Sequence, residues 1–234
     1  MNKYNIFTYL FCFLISLNLS AQKPSAKDES KKPKKEKTYK DIITKDAITD
    51  KGLFDIHKVK EKYFYEINDS LLGREMLMVT RIAKTASGLG FGGGKQNTQV
   101  LRWQIKDNKI LLRVVSHNVV ASDSLPVNEA VLNSNFEPIL YSFKIESKGI
   151  DSTSTLIEVT KLFNEDVKPL GFPQSRRKGY KISSLNSKKS FIESIKSYPE
   201  NIESRHVKTY NSSSPPSNSS TGTISLEINN SMIL

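Results

Sequence analysis

Thr98-Gln99-Val100-Leu101-Arg102-Trp103-Gln104-Ile105-Lys106, then Asp107-Asn108, then Lys109-Ile110-Leu111-Leu112-Arg113-Val114-Val115 and on to Ala121, is the stretch on which the reading of the fold turns. Leu101, Trp103 and Ile105 alternate with Arg102, Gln104 and Lys106. That two-residue period is the pattern of a strand with one buried face. Asp107-Asn108 supplies a two-residue turn. Ile110 to Ala121 runs nearly apolar, as a strand covered on both faces does. Residues 98–121 therefore read as an antiparallel hairpin.

Similar signals extend outward from it. Gly52 to Val59 reads as a strand, Lys60-Glu61-Lys62 as a polar break, and Tyr63 to Ile67 and Met76 to Ile82 as two further strands. Asn68 to Gly73 fits a turn or a single helical turn between them. On the other side, Ile139 to Ile145, Thr155 to Val159 and Ile202 to Tyr210 read as strands, and Ile224, Leu226 and Ile228 alternate in a last one. Pro169, Gly171, Pro173 and Gly179 make 161–180 irregular, and the Ser, Asn and Pro of Asn211 to Gly222 make an exposed loop. Ser190 with Glu193 fits a capping box, and Phe191, Ile192, Ile195 and Tyr198 then share a helical face that Pro199 stops. The expected class is mainly β (α+β): antiparallel meanders and hairpins with one or two short helices. Thr223–Ile228 is expected to be an edge or near-edge strand, its apolar face and Met232, Ile233 and Leu234 covered by sequence further on. The apolar ending is also read as truncation of the larger domain at its C-terminal end.

The N-terminus has the layout of a secretory signal: Lys3, a nearly unbroken apolar run from Ile6 to Leu19, and small residues Ser20 and Ala21. The run is shorter than the roughly twenty apolar residues that span a bilayer, and no later segment is long and apolar enough for a stable membrane span. Export is expected, with cleavage near Ala21-Gln22 and a periplasmic, cell-surface or extracellular destination. Cys12, inside the signal, is the only cysteine. The mature chain thus has no disulfide, thiolate zinc site or cysteine nucleophile, and its core alone must hold it together. Residues 1–40 hold nine lysines against three acidic residues, more than half of the net charge of +11. The stretch 22–38, with Pro24, Pro33 and few apolar residues, reads as a disordered lysine-rich spacer. Weak contact with acidic surfaces is its sharper possibility. Nucleic acid is not an expected partner, because no aromatic residue is interleaved with these lysines before Tyr39.

Recognisable chemistry is sparse. Gly88-x-Gly90-x-x-Gly93 spells a dinucleotide fingerprint, but a strand pattern follows where the phosphate-holding helix should begin. Gly94-Lys95-Gln96 fails as a Walker loop, since Gln96 stands where Ser or Thr must ligate magnesium. A mobile surface loop is the reading left. His57, His117 and His206 fall on three separate expected strands, as partly exposed histidines or as a metal site assembled from distant strands. No His-Glu pair occurs, so a helical zinc motif is absent, and so is a Gly-x-Ser-x-Gly elbow. No catalytic, cofactor-binding or metal residue is assigned.

Several segments are nonetheless specific: Tyr39 to Thr44 (YKDIIT), Thr49 to Phe54 (TDKGLF), His57 to Val59 (HKV), Asp69 to Glu75 (DSLLGRE), Val79 to Ile82 (VTRI), Val131 to Asn135 (VLNSN), Ser190 to Ser194 (SFIES) and Tyr198 to Glu203 (YPENIE). Together they resemble the N-terminal region of a family of secreted bacterial zinc-dependent metalloproteases, in which two uncharacterised domains precede a metzincin-like catalytic domain. The resemblance implies a short β-rich domain over 39–86 and a larger one over 95–234. It places the zinc ligands and catalytic glutamate in a His-Glu-x-x-His-x-x-Gly-x-x-His segment that this chain does not contain. It therefore implies a non-enzymatic portion without a cofactor of its own, zinc belonging to the parent family. Its partner would be a downstream catalytic domain or a protein or peptide substrate. The alternative is an independent exported β-rich module that binds peptide or glycan.

Overall fold

The computed structural model describes residues 37–216 and 219–234. The expected signal, 1–21, and all but the last two residues of the spacer, 22–38, lie outside the described residues.

The quoted stretch forms the expected hairpin. β5 (Lys95–Lys106) and β6 (Lys109–Val115) pair antiparallel from Val100↔Val115 to Lys106↔Lys109. Asp107 turns the corner with φ +52°, a conformation Asp tolerates better than most residues. Leu101 and Trp103 are fully buried, but Ile105, near the strand end, is 45% exposed. β6 ends at Val115, not at the expected Ala121, and Val119 and Val120 are exposed. An apolar run alone does not mark where pairing stops.

Around this hairpin are β1 (Ile48–Asp50), β2 (Asp55–Val59), β3 (Lys62–Asn68), β4 (Glu75–Lys84), β7 (Ile139–Lys148), β8 (Ser154–Glu158), β9 (Ile182–Leu185), β10 (Phe191–Ser197), β11 (Asn201–Ser212) and β12 (Thr223–Ile233). The hydrogen-bonded order is β1-β2-β3-β8-β7-β6-β5-β4-β12-β11-β10, with β9 added to β11, and every pairing is antiparallel. The sheet curls until its two ends nearly meet. Leu53 N–H donates to the Tyr198 carbonyl at 2.7 Å, and Ser197 N–H donates to Asp50 Oδ2 at 3.1 Å.

Strand alternation decides what fills the barrel. Tyr65 of β3, Met76 and Met78 of β4, Leu101 and Trp103 of β5, Ile110 and Leu112 of β6, Phe143 of β7 and Ile157 of β8 share one core with Phe54. Phe54, Tyr65 and Phe143 surround Trp103, with ring centroids 5.6 to 6.2 Å away. Toward the other end a second core joins Ile82, Leu89, Phe172, Tyr210, Ile224, Leu226 and Ile228.

Two expectations fail. β12 is not an edge strand over most of its length: β11 pairs with all of it and β4 with Glu227–Ile233, which leaves only Thr223–Leu226 with a neighbour on one side, and Ile224, Leu226, Ile228 and Met232 are buried by the barrel itself while Ile233 and Leu234 stay exposed. The expected helix over 190–198 is β10. A bulge between Ile192 and Ser194 resets the strand period, so Ile192 and Ile195 both face the core three residues apart. That spacing imitates a helix.

Four short α-helices occur among the described residues: α1 (Tyr39–Ile42), α2 (Val127–Ser134), α3 (Thr160–Asn164) and α4 (Gln174–Arg177). The irregular stretch 161–180 is thus partly helical. No helix among the described residues is long and apolar enough to cross a membrane.

Candidate functional site

Residues 160–177 form a plug against the inner wall. Irregular backbone inside a barrel has no ladder partners, so side chains must satisfy it. Inward positions of the strands do so. Thr80 Oγ1 and Asn97 Nδ2 donate to the Pro169 carbonyl, at 3.0 and 3.3 Å. His206 Nε2 lies 3.2 Å from the Leu170 carbonyl, and Lys208 Nζ donates to the Glu165 carbonyl at 2.6 Å. Phe172 N–H donates to Tyr210 Oη at 3.0 Å. Gly171 is required here, because a Cβ would lie 2.7 Å from Tyr210 Oη. Arg177 then clamps the plug, donating through both terminal nitrogens to Asp166 and through Nε to the Phe172 carbonyl.

Electrostatics follow from this burial. Lys208 is fully buried, and its amine is pushed down to about 8, with Asp166 opposing the shift. Burial, and then Lys208, push His206 down to about 3. Burial pushes Tyr210 up to about 12. The Arg177 hydrogen bonds hold Asp166 below the ordinary carboxylate range. A buried lysine beside a tyrosine and a histidine resembles catalytic machinery, but each group is engaged in holding the plug.

The three histidines are not brought together. His57 sits outside the barrel wall beneath α1, with Nε2 3.0 Å from Glu66 Oε2 and Nδ1 2.8 Å from Thr49 Oγ1. Tyr39 and Ser154 also donate to Glu66, at 2.7 and 2.5 Å. The His57 hydrogen bond leads in lowering Glu66 to about 2 against its burial. His206 is inside the barrel, and His117 lies just past β6, its Nε2 2.9 Å from Glu75 Oε2. Thus His57 and His206 are buried, against the expectation of partial exposure, and His117 is not on a strand. Among the described residues no group of three or more His, Cys, Asp or Glu is placed to hold a metal ion. The Gly88–Gly93 loop leads into β5, as its sequence suggests. It lies at the surface, as expected, with Phe91 97% exposed, and is anchored at Leu89, which is buried and whose carbonyl accepts from Arg176.

One feature faces outward. Between β6 and β7, residues 116–138 leave the barrel as an excursion carrying α2. Charged groups brace its base. Arg102 donates to Glu75 and to Glu137, both at 2.6 Å, and His117 completes the network at Glu75. Desolvation would raise the Glu75 carboxyl, but the hydrogen bonds from His117 and Arg102 outweigh it and leave it lowered. Arg113 donates to the Glu137 carbonyl and lies over the Phe136 ring. Beyond this base no residue of α2 is buried. Val119, Val120, Leu125, Val127, Leu132 and Phe136 all stand in solvent, Leu132 at 64% and Phe136 at 77% exposure. The sequence signal was available: apolar residues at 119, 120, 125, 127, 132 and 136 fit neither period cleanly.

Residues 93–234 match the family described as a domain of unknown function, DUF5117. The chain belongs to the DUF5117 family. Residues 36–85 match a second domain of unknown function, DUF5118. No curated protein and no solved structure matches the chain. The DUF5118 segment supplies β1 to β4 and the DUF5117 segment β5 to β12, and their strands interleave. β3 of the first pairs with β8 of the second, and β4 pairs with both β5 and β12. The expected boundary between 39–86 and 95–234 falls in the β4–β5 loop, while both segments build one sheet. The excursion belongs to DUF5117.

Proposed function

We propose that this chain is a non-catalytic N-terminal portion of an exported zinc-dependent metalloprotease, and that it packs against the catalytic domain through the excursion 116–138. The observation that carries this reading is α2, a helix with no buried residue on a segment bearing six exposed large apolar side chains. Such a patch, rimmed by the Glu75–Arg102–Glu137 network, has the character of an interaction surface. The metalloprotease context comes from the sequence segments that resemble that family. No catalytic step is assigned to this chain, because the His-Glu-x-x-His motif of the resembled family does not occur in its sequence.

The test is a titration of the purified chain against a separately produced catalytic domain of such a protease. Saturable binding is expected, weakened by at least about tenfold when Val120, Leu125 and Leu132 are all changed to Ser, since each loses burial worth about 1.5–3 kcal/mol on association. The variant should keep its melting temperature. Absence of binding, or binding unaffected by the three changes, contradicts the reading.

A further inference from the structure

The barrel is not sewn shut. β1 and β10 are the two ends of the hydrogen-bonded path, and no ladder joins them. Among the described residues the hydrogen bonds across the seam lie at one end of it. There Leu53 bonds Tyr198 and Asp50 accepts from Ser197 N–H, and Gly52 allows the approach, because a Cβ would lie 2.6 Å from Ser197 Oγ. From that pinch both strands run back in the same direction, β1 toward Ile48 and β10 toward Phe191. Between them lies a groove of about 230 Å³ lined by Ile48, Asp50, Ile56, Lys58, Tyr63 and the β10 residues Glu193 to Lys196.

Three properties of this groove define an occupant. Its floor is apolar and preformed, since Ile56, Tyr63 and Ile195 are buried members of the main core. Its lip on the β1 side is apolar and wet, with Ile48 at 70% exposure. Its walls are strand edges. Ser197 points its N–H across the seam, so by the two-residue period Ile195 points its amide and carbonyl the same way. An unpaired edge is a template for another extended chain. Because β1 and β10 run alongside each other, one inserted strand can be antiparallel to both. Its alternate side chains would point inward over Ile56, Tyr63 and Ile195. Asp50 and Glu193 balance Lys58 and Lys196, so the lining selects no charge.

We propose that the β1–β10 seam is a strand-addition site for an extended peptide with aliphatic residues at alternate positions, a site separate from the 116–138 surface. Main-chain pairing supplies most of the affinity, and the groove selects the inward side chains. The bulge between Ile192 and Ser194 and the brevity of β1 blunt the edges against indiscriminate pairing.

The test uses the full mature chain and a pool of short synthetic peptides in which Val, Ile or Leu alternates with Thr, alongside the same pool N-methylated at every second amide. Ile48→Asp is the variant, because Ile48 is exposed and its replacement leaves the core intact. Binding of the unmethylated pool is expected, with a loss of about tenfold or more on methylation and a comparable loss in Ile48→Asp. Exchange protection should appear in Ile192–Lys196 and Ile48–Asp50. No binding at millimolar peptide, equal binding of the methylated pool, or protection confined to other strands overturns the proposal. So does edge-to-edge dimerisation of the chain that peptide does not compete away, which would make the occupant a second copy.

Discussion

His206 and Lys208 show how a side chain can be at once costly and necessary. Both are polar, both are fully buried, and both satisfy plug carbonyls that strands cannot reach. Their burial makes stability depend on pH. His206 is pushed down from 6.5 to about 3, so as pH falls through 6.5 the unfolded chain takes up a proton that the folded chain refuses. Stability is therefore lost between pH 6.5 and 3. Glu66, lowered from 4.5 to about 2, adds loss in the same direction only below 4.5. The interval from 4.5 to 6.5 isolates the histidine from Glu66. His206→Leu should be less stable at pH 7 by about 1–3 kcal/mol, because the Leu170 carbonyl loses its partner. Its stability should also fall less steeply than that of the parent chain between pH 6.5 and 4.5. Urea unfolding across that range checks both statements, and parallel slopes would refute the assignment. Lys208 acts at the other extreme: with its amine pushed down from 10.5 to about 8, stability should rise with pH between those values.

At the level of elements, legibility followed the regularity of the period. β5, β6 up to Val115, β3, β4 and β7 were readable because alternation or an apolar run ended at a turn residue such as Asp107. β10 was misread because its bulge places Ile192 and Ile195 three apart, which a Ser190–Glu193 pair turns into the semblance of a capped helix. β12 was recognised as a strand but misplaced, since alternation of Ile224, Leu226 and Ile228 says that one face is covered and nothing about how many neighbours pair. The plug was illegible for a different reason. Its partners Thr80, Asn97, His206, Lys208 and Tyr210 lie on three strands, between 36 and 89 residues from the plug groups they bond, and polar residues at inward positions read as interruptions of the pattern. The placement of β12 makes a sharp prediction. Changing Ile224, Leu226 and Ile228 together to Thr should not improve solubility. Each buries a hydroxyl and leaves a void, at about 1–3 kcal/mol apiece, and the sum approaches the 5–15 kcal/mol that holds an ordinary domain together. The triple variant should lose its cooperative thermal transition by circular dichroism. A native-like transition would contradict a central β12.

At the scale of the whole molecule, two matched family segments close one curled sheet around one filled interior, and the plug occupies the space where barrels of this kind carry ligands. The two proposals accordingly concern the outside, the seam and above all the excursion. The expected export signal and most of the expected lysine-rich spacer lie outside the described residues, and the proposed location rests on their sequence. The docking claim is tested most directly by hydrogen exchange of the chain with and without a zinc-metalloprotease catalytic domain of the resembled family. The account predicts slowed exchange in Leu125–Phe136, with the barrel strands β4, β5, β11 and β12 unchanged. Unaltered exchange throughout 116–138 in a mixture that does form a complex would contradict it.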